Sequence, residues 1–211
     1  MKFDKHSLRL YVVTDRRWLR GQTLEEQVEE IIKAGTSFIQ LREKELEHKQ
    51  FVEMAKKLKE VTDSYGIPFV INDNVEVALE VNADGIHVGQ SDTDVEQVRA
   101  LLGPNKIVGA SARTLEQALL AQEKGADYLG VGAVFATSTK EDAKTLSRNS
   151  LKKIANGVDI PVVAIGGITE NNILGLKGSN IAGVALISSI LAAPNVGEAT
   201  KKMANLVKEV V

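Results

Sequence analysis

Eight short apolar runs recur along the chain, and their regular spacing constrains the fold more than any other feature. They span residues 8–14, 37–41, 67–71, 85–88, 106–110, 127–131, 160–165 and 182–187. Each run is nearly continuous in Val, Ile and Leu, which is typical of parallel strands covered on both faces. Eight strand–helix units in 211 residues average about 26 residues each. This alternation predicts a parallel sheet, and eight units predict a closed (β/α)8 TIM barrel, with residues 1–211 forming one domain.

The stretches between the runs carry helix signals. Apolar residues recur on one helix face in three of them: Leu24, Val28, Ile31 and Ile32; Phe51, Met54, Leu58 and Val61; and Val95, Val98, Leu101 and Leu102. Capping-box spacing predicts helix starts at Thr23 with Glu26, Thr93 with Glu96, and Thr114 with Gln117. Gly35, Gly66, Gly103 and Gly125 follow the expected last turns, where a left-handed residue ends many helices.

An open doubly wound sheet is the alternative architecture. Such a sheet usually carries a glycine-rich phosphate turn after its first strand. Here Asp15 and Arg16 follow the first run without a GxGxxG pattern, which favours the barrel. The longest stretch without a clear period covers residues 132–146. A loop of this length in a compact barrel is usually functional, and we expect residues 133–146 to form a lid.

Composition and charge exclude several classes of protein. Hydrophobic residues make up 44% of the chain and charged residues 26%, which rules out a disordered chain or a coiled coil. The formal net charge of −2 argues against nucleic-acid partners. The absence of cysteine excludes disulfides and Cys-ligated zinc, and the three separated histidines argue against a zinc cluster. Neither a signal peptide nor an apolar window long enough to span a membrane is present, so we expect a cytoplasmic protein without membrane partners.

Polar residues collect where the strands are predicted to end, and barrel enzymes place their active sites at that end. Asp73 and Asp92 follow neighbouring strands and are predicted to share a Mg²⁺ ion, which one or two carboxylates and substrate phosphates typically hold. Lys44 and Lys140 supply point charges for a phosphate, and Arg42 adds a planar fork. This side of the barrel mouth is therefore predicted to bind a magnesium diphosphate.

A second phosphate site is predicted after the seventh and eighth strands, a frequent position in these barrels. Gly166 and Gly167 allow close approach of the backbone to a ligand. Ser188 and Ser189 precede a short helix whose N-terminal amides attract an anion. Two phosphate sites in one mouth indicate two phosphorylated substrates.

Structural roles compete with these interpretations. Asp73 stands three residues before Glu76 and could cap the third helix instead. Gly166 and Gly167 could form only a tight turn, and either lysine alone could be a solvated surface residue. His87 lies between Ile86 and Val88 inside a strand, so we expect a packed, hydrogen-bonded histidine rather than a base. No serine or threonine has a recognisable base beside it, so nucleophilic catalysis is unsupported.

Six motifs in order resemble the thiamine-phosphate synthase family over nearly the whole chain. They are QLREK at 40–44, IND at 71–73, DGIHVGQSD at 84–92, GADYLGVG at 125–132, TSTK at 137–140 and AIGGI at 164–168. Three positions depart from the family pattern. Arg113 stands where a histidine is common, Ala136 replaces a usual proline, and residues 145–147 lack a glycine. These departures bear on the lid more than on the reaction.

The resemblance implies a transferase that joins a pyrimidine diphosphate to a thiazole phosphate, giving thiamine phosphate and diphosphate, with Mg²⁺ as cofactor. It assigns the metal to Asp73 and Asp92, and catalysis to Lys44, Lys140 and Ser111. The implied substrate contacts are Gln40, Leu41, Arg42, Glu43, Lys44, Asn72, Ser111, Thr137, Ser138, Thr139, Lys140, Gly167, Ile187 and Ser188. Loss of diphosphate is expected to precede attack, because the aminopyrimidine can stabilise a methylene cation.

Three rival functions share part of this pattern. A thiazole tautomerase or a non-catalytic paralogue of a related barrel family would keep the thiazole-phosphate side, but neither needs the Asp73 and Asp92 pair. A sugar-phosphate isomerase or decarboxylase barrel would share only the phosphate site, and the Asp-x-Lys-x-x-Asp motif of one such group is absent. A homo-oligomer is compatible with the sequence but is not specified by it.

Overall fold

A computed structural model, which describes residues 4–137 and 145–211, forms the closed parallel barrel that the sequence predicts. The strands are β1 Leu10–Val13, β2 Phe38–Leu41, β3 Phe69–Asn72, β4 Gly85–Val88, β5 Ile107–Ala112, β6 Tyr128–Gly132, β7 Val162–Ile165 and β8 Gly183–Leu186. Each strand pairs in parallel with the next, and β8 pairs with β1 to close the ring. All eight predicted strands are confirmed.

Helices surround the barrel. They are α1 Leu24–Lys33, α2 His48–Tyr65, α3 Val75–Glu80, α4 Val95–Leu102, α5 Leu115–Glu123, α6 Arg148–Gly157, α7 Ser188–Leu191 and α8 Val196–Val207. The unit after β7 differs from the prediction, because its only helix is the short 3₁₀ turn Ile173–Leu176. Four glycines lie in the connection between β7 and β8, and glycine is among the weakest helix formers.

The predicted helix starts are confirmed in two cases and wrong in one. Thr23 and Glu26 form a complete capping box at the start of α1. The Thr114 side chain accepts a hydrogen bond from the Gln117 amide at the start of α5. At α4 the cap is Asp94 instead of Thr93, and its carboxylate accepts from the amide of Glu96. Asp caps helices at least as well as Thr, so the stronger neighbouring residue takes the position.

Two hydrophobic layers hold the barrel. Outward-facing strand residues pack against the helices, and inward-facing residues fill the barrel itself: Leu8, Tyr11, Val13, Phe38, Val70, Tyr128, Val163 and Ala185. Leu101 contradicts the predicted α4 stripe, because it is 58% exposed while Val98 is fully buried. It lies about 60° around the helix from Val98, at the edge of the stripe. Within the described ranges, no helix combines the length and apolar character needed to cross a membrane.

Glycines on the inner face make room for the aromatic filling of the barrel. A Cβ atom added at Gly109 would lie 2.2 Å from Cζ of Tyr128, and one at Gly130 would lie 3.0 Å from Cε1 of His87. The Tyr128 ring packs edge-on against Tyr11 and Phe38, with ring centroids 6.0 and 5.7 Å away. The side chains on β6 and β4 therefore occupy the space that glycines on β5 and β6 leave free.

Gly109→Ala is expected to lower the free energy of unfolding by about 2 kcal/mol or more, because the new methyl group overlaps a buried ring that has no room to retreat. Gly175→Ala is the matched control, since nothing lies within 4 Å of a Cβ atom at that position. Thermal melting of both variants tests this expectation. Equal melting temperatures would show that the Tyr128 ring is not held against Gly109.

Candidate active site

The carboxyl ends of β2, β3 and β4 bring together the acidic pair that the sequence predicts. Asp73 Oδ2 accepts a hydrogen bond from Lys44 Nζ at 2.5 Å, and Asp73 Oδ1 accepts from Asn72 Nδ2 at 2.8 Å. The carboxyl group of Asp92 lies within hydrogen-bonding reach of Asp73. Asp92 Oδ2 also accepts from the Gly89 amide at 2.7 Å, which fixes the loop after β4. Lys44, Asp73 and Asp92 thus form one cluster.

The capping role considered for Asp73 is wrong. Asn74 caps α3, and its side-chain oxygen accepts from the Val77 amide at 2.9 Å. Asp73 instead adopts a left-handed backbone conformation with φ 61°, which is uncommon for a residue other than glycine. Its amide donates to the carbonyl of His87 at 2.9 Å, which ties the end of β3 to β4. This backbone turn places the Asp73 carboxylate beside Lys44 and Asp92.

The electrostatics of the cluster favour an added cation. Burial raises the pKa of Asp73, Lys44 lowers it, and Asp92 raises it further, with a net upward shift. Two carboxylates held together in a partly buried place repel each other, and Lys44 compensates only one of them. Asn72 Oδ1 is a further buried oxygen, without a hydrogen-bond partner among the described residues. These hard oxygen donors fit Mg²⁺, which needs few protein ligands when phosphates and water complete its shell.

The QLREK segment divides its side chains between the mouth and the interior. Lys44 reaches the acidic pair, whereas Gln40 is buried in the barrel and donates through Nε2 to Tyr11 Oη. Leu41 is fully buried in the outer layer, so its side chain does not line the mouth. Glu43 Oε1 accepts from Arg16 Nε at 2.8 Å. Arg42 is half-buried, and its amide donates to Thr14 Oγ1 at 3.1 Å.

A hydrogen-bonded row of neutral side chains runs through the barrel to Ser111. Tyr11 Oη and Tyr128 Oη are 2.9 Å apart, and Tyr128 Oη lies 3.0 Å from His87 Nδ1. His87 Nε2 lies 3.0 Å from Ser111 Oγ at the end of β5. Burial lowers the pKa of His87 to about 4, so its ring is neutral at physiological pH. The prediction of a packed, hydrogen-bonded histidine is confirmed.

Gly167 brings the loop after β7 against the loop after β6. It has φ 63°, and an added Cβ atom would lie 2.2 Å from the carbonyl oxygen of Ala136 and 2.7 Å from that of Phe135. The Asn172 side chain donates to the Gly167 carbonyl at 2.9 Å. Glycine is therefore required by backbone approach here, whatever binds above it. Gly167 can therefore both form a tight turn after β7 and contribute to a ligand site above it.

Ile187 and Ser188 lie directly after β8. Ser188 is exposed as the first residue of α7, and Ile187 is half-buried. Thr137 is described at the edge of the loop after β6, whereas Ser138, Thr139, Lys140 and the rest of 138–144, half of the predicted lid, lie outside the described residues. The structure thus brings Gly167, Ile187 and Ser188 to strand ends at the same mouth as the acidic cluster.

The sequence analysis assigned no role to several polar groups inside the barrel and at its mouth. Tyr11 and Tyr128 lie in apolar runs, and Tyr128 also in the GADYLGVG motif, yet their hydroxyls connect Gln40 with His87. Asp15 follows β1 and binds Arg17 through two nitrogens, at 3.0 and 2.6 Å. Burial opposes the effect, but these hydrogen bonds lower the pKa of Asp15. A tyrosine at an inward-facing strand position, with glycines on the neighbouring strand, is the sequence signal that could have predicted these buried hydrogen bonds.

Acid is expected to destabilise the protein through His87. The folded protein keeps the ring neutral down to about pH 4, whereas an exposed histidine in the unfolded chain gains a proton near pH 6.5. The free energy of unfolding should therefore fall by about 3 kcal/mol as the pH drops from about 6.5 to about 4, at about 1.4 kcal/mol per unit. Urea unfolding at several pH values measures this slope.

His87→Gln should remove this part of the slope, whereas His48→Gln should keep it, since His48 is an exposed residue paired with Glu80. The same slope in both variants would contradict the assignment to His87.

Residues 10–190 match the family model described as thiamine monophosphate synthase. A thiamine-phosphate synthase of Clostridium tetani is 52% identical over 200 residues, covering 95% of this chain and 96% of the relative. One of Clostridioides difficile is 50% identical over 198 residues, covering 94% of each chain. A solved thiamine phosphate pyrophosphorylase from Pyrococcus furiosus superposes with a TM-score of 0.90 at 40% identity, over 98% of both chains. The chain belongs to the thiamine monophosphate synthase family.

Proposed function

We propose that this enzyme joins 4-amino-2-methyl-5-(diphosphooxymethyl)pyrimidine to hydroxyethylthiazole phosphate, releasing diphosphate and forming thiamine phosphate. The observation that carries the proposal is the cluster of Lys44, Asp73 and Asp92 at three adjacent strand ends, in a chain of this family. A thiazole tautomerase need not bind a magnesium diphosphate, so the cluster favours the transferase over that alternative. The transferase reaction needs both a cationic and a metal-binding group at one place.

Asp73 and Asp92 would hold Mg²⁺, and the bound ion would neutralise charge on the diphosphate. Lys44 is half-exposed and pairs with Asp73 through a single contact. Its flexible side chain can therefore exchange the carboxylate for a phosphate oxygen when the substrate binds. Lys140 would approach the same diphosphate from the loop after β6, with Arg42 and Asn72 beside it.

The reaction needs no general base or protein nucleophile. The bond between the pyrimidine methylene carbon and the diphosphate oxygen breaks, and its electron pair leaves with the diphosphate. The lone pair of the thiazole nitrogen then forms the new carbon–nitrogen bond, so no proton moves at the reacting atoms. Accordingly, His87 is buried, neutral and bonded at both ring nitrogens. The protein acts by charge stabilisation and alignment.

The thiazole phosphate would bind on the opposite side of the mouth. Gly167, Ile187 and Ser188 follow β7 and β8, and Phe135 and Ala136 approach Gly167. Thr137, Ser138 and Thr139 come next in the sequence after Ala136. Backbone amides and hydroxyls at such positions suit a phosphate monoester. Closure of residues 133–146 would exclude water, which otherwise traps a methylene cation.

Removal of Mg²⁺ is expected to abolish formation of thiamine phosphate from the two substrates. Asp73→Asn should lower kcat at least about tenfold and weaken Mg²⁺ binding, because it removes one ligand charge. Asparagine also tolerates the left-handed backbone of this position, so thermal stability should be nearly unchanged. Asp63→Asn on the exposed side of α2 is the matched control. Product analysis, Mg²⁺ titration calorimetry and melting curves supply the measurements, and full activity in excess chelator would overturn the metal assignment.

Gly167→Ala should raise KM for the thiazole phosphate about tenfold or more and affect the pyrimidine diphosphate less. The added methyl group overlaps the carbonyls of Phe135 and Ala136 and must displace this loop, and small misplacements in a site are costly. Steady-state kinetics with each substrate varied in turn measures the two constants. An equal loss for both substrates would indicate a general structural defect instead.

A further inference from the structure

We propose that His87 is a positioning residue that turns the hydroxyl proton of Ser111 toward the mouth, where it donates a hydrogen bond to the pyrimidine diphosphate. The identity of the ligand, a pyrimidine diphosphate, rests on the proposed function. The orientation of the Ser111 hydroxyl is argued from the hydrogen-bonded row of side chains inside the barrel. Sequence patterns predict only a packing role for His87, because its orientation relative to Ser111 arises from contacts in the folded chain.

The row is continuous and shielded from solvent over most of its length. It passes from Gln40 to Tyr11, Tyr128, His87 and Ser111, with links of 2.9, 3.0 and 3.0 Å after the first contact. Four of its members are buried, with exposed fractions of 4%, 2%, 0% and 8% from Gln40 to His87. Only Ser111, which is half-buried, reaches the mouth.

In one arrangement of its protons, every contact in this row is a hydrogen bond and the hydroxyl protons of Tyr11 and Tyr128 both have an acceptor within the row. The side-chain amide nitrogen of Gln40 can only donate, so Tyr11 Oη accepts a hydrogen bond from it. The Tyr11 hydroxyl in turn donates a hydrogen bond to Tyr128 Oη. Tyr128 Oη then donates to His87 Nδ1. A neutral imidazole with an accepting Nδ1 carries its single proton on Nε2, and this proton is donated to Ser111 Oγ.

Ser111 is therefore left with a hydroxyl proton that the row does not use. In the reverse arrangement Tyr11 Oη accepts from both Gln40 and Tyr128, and its own buried proton has no acceptor within the row. Ser111 is also fixed from the loop after β4, where Gln90 Nε2 donates to its carbonyl at 2.6 Å. Its side chain and backbone are thus both held, and Asp92 belongs to the same loop as Gln90.

The barrel leaves a space of the right shape for the His87 ring. Gly130 on β6 leaves the space beside the ring, since a Cβ atom there would lie 3.0 Å from Cε1 and 3.4 Å from Nε2 of His87. The ring cannot swing away from Ser111 without losing contact with Tyr128. A donor held in this way costs no reorganisation when charge develops on the leaving diphosphate.

The proton arrangement can be tested without substrates. The chain has three histidines, so ¹⁵N-histidine NMR of the unliganded protein, with His6→Gln and His48→Gln used for assignment, resolves His87. We expect His87 as the neutral tautomer protonated at Nε2 between pH 6 and 8. Tyr128→Phe, which keeps the ring but removes the hydroxyl, should shift the Nδ1 resonance. A wild-type tautomer protonated at Nδ1 would overturn the proposal.

A double-mutant cycle then tests whether His87 acts through Ser111. His87→Leu should lower kcat at least about tenfold in the wild-type background and have almost no further effect in Ser111→Ala. His87→Gln should recover much of the loss, because its amide can still donate toward Ser111, and His48→Gln should leave kcat unchanged. Equal losses from His87→Leu in both backgrounds would show a merely structural role and overturn the proposal.

The two proposals fail in distinguishable ways. A wild-type enzyme that makes no thiamine phosphate would defeat the proposed function, while the tautomer measurement would still decide the proton arrangement. If His87→Leu does not fold, Tyr128→Phe supplies the same kinetic comparison from a residue that does not reach the mouth.

Discussion

The hydrogen bond between Tyr11 and Tyr128 joins β1 to β6 across the interior of the barrel, and the active-site mouth is built above it. A closed barrel of eight strands must fill its interior, and two buried tyrosines do so only if their hydroxyls find partners. Gly109 supplies the space for one ring. The hydroxyls in turn need further polar neighbours, and Gln40 and His87 meet that need. The same buried side chains therefore fill the barrel and position Ser111 at its mouth.

Charge is kept out of this interior and gathered at its rim. The side chains of the hydroxyl row are all neutral, whereas Lys44, Asp73 and Asp92 stand just beyond the strand ends. The left-handed backbone conformation of Asp73 is energetically unfavourable for a residue other than glycine. The hydrogen bond from its amide to the His87 carbonyl helps to stabilise this conformation. Strain at this position makes sense if the carboxylate must face both Lys44 and Asp92, because a regular helix start would have pointed it elsewhere.

The sequence predicted the barrel better than it predicted the site. All eight strands, two of three capping pairs and the packed state of His87 are confirmed, because each leaves a local pattern of period or spacing. The prediction for Thr93 was wrong because the neighbouring Asp94 caps α4, and the prediction for Leu101 was wrong because this residue lies at the edge of the apolar stripe. The contact between Tyr11 and Tyr128 joins positions 117 residues apart, and no local pattern encodes it. Ser138, Thr139 and Lys140 remain predictions.

The division between a neutral interior and a charged rim suits a reaction in which no proton is transferred at the reacting atoms. A titrating histidine beside Ser111 would change the direction of its hydrogen bonds with pH, and with it the charge presented to a leaving diphosphate. Burial prevents this by lowering the pKa of His87 to about 4. The same burial that makes His87 useless as a general base makes it a fixed dipole. In the proposed reaction, a side chain that keeps its protons stabilises the leaving diphosphate better than a side chain that titrates.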